Sequence, residues 1–349
     1  MLRGVSGCLA MLLACGAERP GEASSAPVVD GAAAAPELTW LKGQLHAHTN
    51  NSGDSETAPE VALRWFLRHG FDFVVVTDHN FVTVAQGEGV LAIPGVELTQ
   101  NLDDCVPAPE PGMQCLLHIN ALFVDPRRAG RFVFAASEER SRLKLYARAL
   151  AATRELGGVA QLNHPNFHYA ADAGTIAALG REGLALVEVA NEAIDSNNPG
   201  DAGHPSTEAL WDAALGQGAR VWAVATDDSH HYDDAAAVVA RGEEAYVGDR
   251  GFVMVRAERS EAAIRAAIER GEFYASSGVI LESLTRSGGT LALRVAGAHE
   301  IRFIGEGGRE LGRERGVAAS YTLRPGDRYV RAVVTAADGR RAWTQPLWP

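Results

Sequence analysis

The sequence has no excess of basic residues. Its 349 residues include 32 Lys and Arg against 44 Asp and Glu, which gives a formal net charge of −12. A negative protein repels polyanions at long range, so this balance argues against tight sequence-independent binding to DNA or RNA. Small anionic substrates stay compatible with it, because bound metal ions can reverse the field locally.

Long hydrophobic runs are also missing. The apolar stretch Cys8–Ala14 follows Arg3 and is too short to span a bilayer, and no later stretch is long enough. Its last residues, Leu-Leu-Ala-Cys at 12–15, resemble a bacterial lipobox. This resemblance implies a signal peptide over 1–14 and a lipid on Cys15, the only membrane attachment that we expect. The alternative is an ordinary secretory signal cut near Ala23–Ala26. Both place the protein in the bacterial periplasm or on the cell surface.

Cysteine is scarce, with four in the chain, and two of these belong to the export segment. Cys105 and Cys115 remain, on either side of a Pro-rich loop. An exported protein meets an oxidising compartment, so we expect these two to form a disulfide. Closing so short a loop would contribute about 2–3 kcal/mol. A thiolate metal site is the weaker alternative, because neither cysteine has a CxxC partner.

The rest of the chain divides by composition and periodicity. Residues 15–36 are rich in Ala, Gly, Pro and Ser, which predicts a flexible linker. Over 37–280, strand and helix signals alternate; for example, a helix capped by Thr57 precedes a buried strand at 71–76. This alternation predicts an α/β fold with a mostly parallel sheet, either a barrel or doubly wound. Short strands and Gly-rich turns over 281–349 predict a small antiparallel β domain.

Residues that can bind metal ions fall at the ends of the predicted strands. In His46-Ala47-His48 both imidazoles point to one face, because side chains alternate along a strand. Strand ends at the same side of a barrel share one mouth. Glu97 follows an apolar strand, and a buried carboxylate is costly without a cation or base nearby. The full set is His46, His48, Asp54, His79, Glu97, His118, His164, Asp228 and His230.

Each of these positions alone has an ordinary structural explanation, since a histidine at a strand end is usually a hydrogen-bonded structural residue. Six imidazoles and three carboxylates on one face would instead repel one another or stay unsatisfied without cations. We therefore predict a metal centre. Histidine and carboxylate ligands suit Zn, Mn or Fe, and the lack of thiolates argues against a purely structural zinc site.

In these motifs the sequence resembles the PHP (polymerase and histidinol phosphatase) superfamily over roughly residues 40–278. The superfamily's four-part signature is matched by His-Ala-His-Thr at 46–49 with Ser-Gly-Asp at 52–54, by Thr-Asp-His-Asn at 77–80 leading to Glu97, by His118 with Asn-His-Pro at 163–165, and by Asp-Ser-His at 228–230. Residues 162–166, residues 225–231 and the β-rich tail are most similar to the CehA/McbA-type branch, named for a carbaryl hydrolase.

The resemblance implies a distorted (β/α)7 barrel, here followed by the small β domain, and a centre of two or three divalent ions. Asp54 stands where some relatives have histidine, which changes the ligand set of one ion. Carried over residue by residue, one ion would take His46, His48, Glu97 and Asp228, a second Asp54, His79 and His230, and a third Glu97, His118 and His164.

The reaction that we hypothesise from these residues is metal-assisted hydrolysis, in which water activated by two ions attacks an ester. Glu97, Asp228 and His230 would act through that water. Residues that could orient the ligands, or only cap turns, are Asp78, Asp227 and Asn163. Candidates for protonating a leaving group or facing the pocket are His231, His204 and His168.

Three functions remain open at the level of sequence. The superfamily resemblance implies a phosphoesterase for small mono- or diesters, although no Arg or Lys is marked as a phosphate clamp. The branch resemblance also admits carbamate or carboxyl-ester hydrolysis. A surface lipoprotein that binds ligands through its β tail, with the barrel as scaffold, is the alternative from another class. No basic track supports an exonuclease, and the sequence predicts neither an oligomeric state nor a role for the β domain.

Overall fold

The structure, a computed structural model, describes residues 38–349. The predicted signal peptide, the predicted linker and Cys15 lie outside the described residues. Within the described part, no helix is long and apolar enough to cross a membrane. The disulfide predicted between Cys105 and Cys115 is confirmed, with their Cα atoms 6.1 Å apart. Such a bond suggests an oxidising compartment, as expected for an exported protein.

Six α-helices lie among the strands from β1 to β11, which confirms the α/β class. The strands are β1 Thr39–Gln44, β2 Phe73–Val76, β3 Phe81–Val82, β4 Leu91–Leu102, β5 Cys115–Leu122, β6 Gly130–Arg131, β7 Val159–Leu162, β8 Leu186–Asn191, β9 Trp222–Thr226, β10 Phe252–Ala257 and β11 Phe273–Ser276. The helices are α1 Pro59–Arg68, α2 Arg142–Glu155, α3 Ala173–Arg181, α4 Thr207–Gly216, α5 Ala235–Ala240 and α6 Glu261–Glu269.

Helix α1 shows how local sequence sets an element. Pro59 occupies its first turn and Gly70, with φ at +75°, follows its end. The predicted cap was wrong: Ala58, not Thr57, is the N-cap residue, and it has no side-chain cap. The reason is that a residue before proline is restricted to extended conformations, so Ala58 cannot join the helix. The helix buries Leu63 and Phe66 in a hydrophobic core cluster that also contains residues of the sheet.

The strands form one long open sheet. Its order is β12-β13-β15-β16-β11-β10-β1-β2-β4-β5-β7-β8-β9, with β14 on β13. The described residues therefore contain no closed (β/α)7 barrel. Pairing is parallel in β1-β2-β4 and β7-β8-β9, but β5 lies antiparallel to both β4 and β7, and β10 antiparallel to β1. The disulfide loop, not a crossover helix, joins β4 to β5, and such a return leaves the strands antiparallel.

The two ends of the α/β part still approach each other where the chain leaves β1 and β9. Ala47 and Ser229 form a parallel bridge. The amide of His48 donates to the Ser229 carbonyl (2.9 Å), and the amide of Asp228 donates to the His46 carbonyl (3.1 Å). These bonds bring the candidate ligands after the first and the ninth strand to the same place, although no ladder joins the two strands.

The C-terminal strands continue the same sheet. They are β12 Leu281–Ser287, β13 Thr290–Ile304, β14 Glu310–Thr322, β15 Arg331–Thr335 and β16 Arg341–Thr344, all antiparallel to their neighbours. Strand β16 pairs with β11 through Tyr274 and Thr344. The Gln345 side chain adds two bonds to the backbone of Ala223 in β9. A domain boundary at residue 280 stays a prediction.

Candidate metal centre

The structure brings all nine predicted ligands together. They fall into five overlapping groups whose ligand atoms lie within 4.8 Å of one another. The groups are His46, His48 and Glu97; His46, His164 and Asp228; His48, Asp228 and His230; His48, Asp54 and His79; and Glu97, His118 and His164. Because the groups share members, they form one continuous cluster that could hold more than one ion.

Glu97 lies at the middle of the cluster and is only 1% exposed. It is in β4, and five imidazoles from four other segments surround its two oxygens. The distances to Oε1 are 3.0 Å from His118 Nδ1 and 3.5 Å each from His46 Nε2 and His164 Nε2; those to Oε2 are 2.8 Å from His79 Nδ1 and 3.4 Å from His48 Nε2. Such an arrangement gives one carboxylate access to several ion positions.

Asp228 faces the cluster from the other side. Its Oδ1 lies 3.1 Å from His46 Nε2 and 3.0 Å from His48 Nε2, and its Oδ2 lies 3.8 Å from His164 Nε2. Both Asp228 and His164 have left-handed backbone conformations, with φ at 51° and 23°. A non-glycine residue in that region costs about 1–3 kcal/mol, and such residues concentrate at functional sites.

Asp54 closes the cluster at its exposed rim. Its Oδ2 lies 3.0 Å from His79 Nε2 and its Oδ1 lies 3.3 Å from His230 Nδ1. These three are the side chains expected around the second ion. They are more accessible than Glu97, because Asp54 is exposed and both histidines are partly buried.

Several buried atoms of the cluster have no hydrogen bond, although they are close to polar neighbours. They are His46 Nε2, His48 Nε2, Glu97 Oε2, His118 Nδ1 and His230 Nδ1. A buried polar atom without a partner costs about 1–3 kcal/mol. All five are ligand atoms of the types that divalent transition metals prefer. The residues present therefore fit bound metal ions.

Hydrogen bonds fix how the imidazoles face the cluster. His46 Nδ1 lies 2.8 Å from Glu188 and His48 Nδ1 lies 2.9 Å from Ser52 Oγ, so the Nε2 atoms of these two rings point inward. His79 differs, because its Nδ1 lies near both Thr99 Oγ1 (2.7 Å) and Glu97 Oε2 (2.8 Å), and its Nε2 faces Asp54. Partners of this kind orient ligand rings and set their tautomers in metalloproteins.

Burial and neighbouring charges shift the pKa values of the cluster's histidines in opposite directions. Burial lowers the pKa of His79, but Glu97 and Asp54 outweigh it and raise that pKa to about 11. Burial also lowers the pKa of His230, but Asp228 and Asp54 outweigh it and raise that pKa to about 9. Burial and the nearby His230 lower the pKa of His48 to about 3. Protons thus occupy part of the site without metal, and ions compete with them.

The residues predicted to orient ligands have different contacts. Asn163 donates to Glu97 Oε1 (2.8 Å), so it touches a candidate ligand directly. Asp78 accepts from the backbone and hydroxyl of Thr49, one residue after His48. Asp227 accepts from three successive amides at 249–251, and burial raises its pKa to about 7. Both aspartates hold loops beside the ligands.

The remaining candidate histidines lie in two environments. His231 lines the pocket, and its Nδ1 accepts from the amide of Tyr246 (3.1 Å). His204 lies outside the pocket wall, between Asp201 and Glu110 at 2.8 Å each. His168 also lies outside the wall and accepts from the amide of Gln114.

A cavity of about 350 Å³ opens over the cluster. Its wall contains residues that the sequence reading missed, among them Phe167, Asp195 and Tyr246, whose hydroxyl donates to Asp195 (3.0 Å). Glu188, which contacts His46 Nδ1 on the side away from the cluster, was not predicted either. A carboxylate inside the apolar run 184–190 was the available signal for Glu188, whereas the wall residues come from loops without a recognisable pattern.

The chain has a similar solved structure but no matching family model or curated protein. No family model matches the chain, and no curated protein matches it. Among solved structures it is similar to a two-domain protein from Bacteroides vulgatus described as containing a predicted PHP-like metal-dependent phosphoesterase, with 19% identity, 91% of this chain and 100% of that chain covered, and a TM-score of 0.48.

Proposed function

We propose that the protein is a metal-dependent hydrolase with two or three divalent ions at this cluster. The observation that carries the proposal is the set of buried, unpartnered imidazole and carboxylate atoms that converge from separate segments of the chain beneath one open cavity. A purely structural network would satisfy these atoms with one another, since buried polar groups are nearly always paired.

The family resemblance supplies three ligand sets, and the third of them coincides with one of the five compact groups. His46, His48, Glu97 and Asp228 would hold one ion, Asp54, His79 and His230 a second, and Glu97, His118 and His164 a third. Divalent ions such as Zn, Mn or Fe would activate water and polarise the scissile group. Asn163 would keep Glu97 in place through its 2.8 Å hydrogen bond.

His231 is the residue that we propose to contact the leaving group. It lines the cavity, and burial lowers its pKa, so its ring is neutral near pH 7. Because its Nδ1 accepts from the Tyr246 amide, the ring proton lies on Nε2. A neutral N–H in this position can donate a hydrogen bond to the departing oxygen.

The substrate that we propose is a small phosphoester, on the strength of the family resemblance. A cavity of about 350 Å³ fits a small molecule, with Leu116, Phe167 and Ala193 as its apolar wall. Export, with a lipid on Cys15, also remains part of the proposal.

One observation favours a second candidate, hydrolysis of a carbamate or carboxyl ester. Among the described residues, no Lys or Arg lines the cavity, whereas Asp195 stands on its wall. Proteins that bind a doubly charged phosphate usually supply an Arg or Lys to it. A neutral ester needs no such partner.

Two measurements test these functions. Protein purified without added metal should contain bound divalent ions, counted per chain. Turnover of p-nitrophenyl phosphate, compared with p-nitrophenyl acetate, should then show which ester is cleaved, and chelator should remove the activity. Absence of both activities in metal-loaded protein would favour the ligand-binding lipoprotein instead.

A further inference from the structure

We propose that Glu188 is a positioning residue that organises one part of the ligand set, and that it leaves the other part untouched. The inference rests on the proposed metal-dependent function. Glu188 lies in β8, is fully buried, and belongs to none of the five candidate ion-binding groups. A role as ligand is therefore not what keeps this carboxylate in the interior.

Five donors surround the Glu188 carboxylate, so it needs no further partner. Those at Oε1 are His46 Nδ1 (2.8 Å), Gln161 Nε2 (3.1 Å) and Thr226 Oγ1 (2.6 Å), and those at Oε2 are the His164 amide (2.6 Å) and Asn191 Nδ2 (2.9 Å). These donors come from the segment after β1, from β7, β8 and β9, and from the loop after β7. Glu188 thus ties together the strand ends on which the cluster is built.

Three of its connections lead to candidate ligands. Holding His46 Nδ1 turns the Nε2 atom of that ring toward Glu97 and Asp228. The bond to the His164 amide holds a residue whose φ is 23°. Asn191, bound to Glu188, also donates to Asp228 Oδ2 (3.2 Å). His46, His164 and Asp228 form one of the candidate groups, and we name them the Glu188-linked ligands.

The side chains at the rim depend on other partners. Asp54, His79 and His230, which we name the rim ligands, bond to one another, and His79 is held by Thr99 Oγ1 (2.7 Å). None of the three contacts Glu188 among the described hydrogen bonds. The two sets touch where His230 Nε2 lies 3.4 Å from Asp228 Oδ1, but the residues that support them from behind are different.

The substitution Glu188→Gln should disturb the Glu188-linked ligands and leave the rim ligands unchanged, and it alters the side chain very little. The amide has one acceptor oxygen and one donor NH2, and donors face both oxygens of Glu188. In either orientation, an NH2 group would face a donor from His46 or from the backbone of His164. Loss of such a supporting partner typically weakens metal affinity 10–100-fold.

The test is equilibrium dialysis of the full chain with Zn²⁺ alone. Glu188→Gln should weaken at least one ion 10–100-fold and leave another at its wild-type Kd. Thr99→Val should instead weaken the ion at the rim ligands, because it removes the hydrogen bond between Thr99 Oγ1 and His79 Nδ1. Glu208→Gln is the matched control: Glu208 is also a poorly exposed carboxylate, but its partners are Arg331 and Arg341, not candidate ligands, so Zn²⁺ binding should not change.

The outcomes separate the two proposals. Wild-type affinity for every ion in Glu188→Gln, or equal weakening of all ions, overturns the inference and leaves the hydrolase proposal standing. Wild-type protein that binds no Zn²⁺ overturns the hydrolase proposal itself. If Glu188→Gln does not fold, Asn191→Ala decides, because it removes the side chain that joins Glu188 to Asp228 and leaves the bonds of Glu188 to His46 and His164 in place. Selective weakening of one ion supports the inference, and unchanged binding overturns it.

Discussion

Glu97 and His79 meet across the cluster, with 2.8 Å between Glu97 Oε2 and His79 Nδ1. Both residues line the cavity, but Glu97 is almost fully buried and His79 is partly exposed, so the pair connects the interior of the centre to its accessible rim. Glu97 is also common to two of the candidate groups. A change at this carboxylate should therefore affect more than one ion.

Glu97→Ala is expected to lower the metal content per chain and abolish turnover, because it removes the carboxylate that five imidazoles face. His46→Ala should have the same direction of effect. Metal analysis of the purified variants, with rates in the presence of added metal, checks this. Unchanged stoichiometry and rate in either variant would contradict the ligand assignment.

Removal of metal should destabilise the protein, because ions that bind only the folded state stabilise it by mass action. An ion present at 100 times its Kd adds about 2.7 kcal/mol to the free energy of unfolding. Thermal unfolding should occur at a lower Tm after chelation and recover when Zn²⁺ is restored. The recovery should be smaller in Glu97→Ala, and an identical Tm with and without metal in the wild type would count against a bound centre.

Arg331 is buried and forms a two-pronged ion pair with Asp212 of α4, at 2.7 and 2.6 Å. Arg331→Met should cost about 3–5 kcal/mol of unfolding free energy, because it leaves a buried carboxylate uncompensated. Adding Asp212→Asn should recover part of that loss, since the amide carries no charge and still accepts from Tyr329. Denaturant unfolding of both variants measures the coupling; equal stability of the single and double variants would refute it.

The neighbouring Glu208 gives a pH-dependent prediction. Burial raises its pKa, but Arg331 outweighs burial, so the net pKa lies below its ordinary value. A depressed folded pKa contributes stability above the unfolded pKa of about 4.3, and that stability is lost as the pH falls. Glu208→Gln should have a lower Tm than the wild type at pH 7. The Tm difference should narrow below about pH 4, and a constant difference would show that Glu208 does not contribute in this way.

The Cys105–Cys115 disulfide closes a loop with a sequence separation of 10, beside the cavity wall at Leu116. Replacing both cysteines with serine should lower the unfolding free energy by about 2–3 kcal/mol, the cost of restoring freedom to so short a loop in the unfolded chain. Urea unfolding, compared with the wild type under reducing and oxidising conditions, measures it. A wild type indifferent to reductant would contradict the expectation.

Much of the site was predictable because its signals are local. Side chains alternate along a strand, so the spacing of His46 and His48 alone places two imidazoles on one face. The carboxylate of Glu97 after an apolar run indicated a buried charge that needs a cation. The disulfide followed from the scarcity of cysteine together with the export signal.

The contacts behind the ligands were not predictable in the same way. Glu188 meets His46 across 142 positions of sequence, and Asn191 meets Asp228 across 37. The expectation of a closed barrel was wrong. The direction of β5 relative to β4 depends on how the disulfide loop returns the chain. No periodicity in β5 itself carries that information.

The sequence by itself determined the α/β alternation, the disulfide partners and the nine side chains that meet at the centre, since each follows from residue chemistry or from the pitch of a strand. Only the tertiary structure decided the open sheet, the approach of β1 to β9 and the two sets of support beneath the ligands. These features depend on which distant segments of the chain pack together. The free energy of that packing comes from contacts throughout the core and not from any one local pattern.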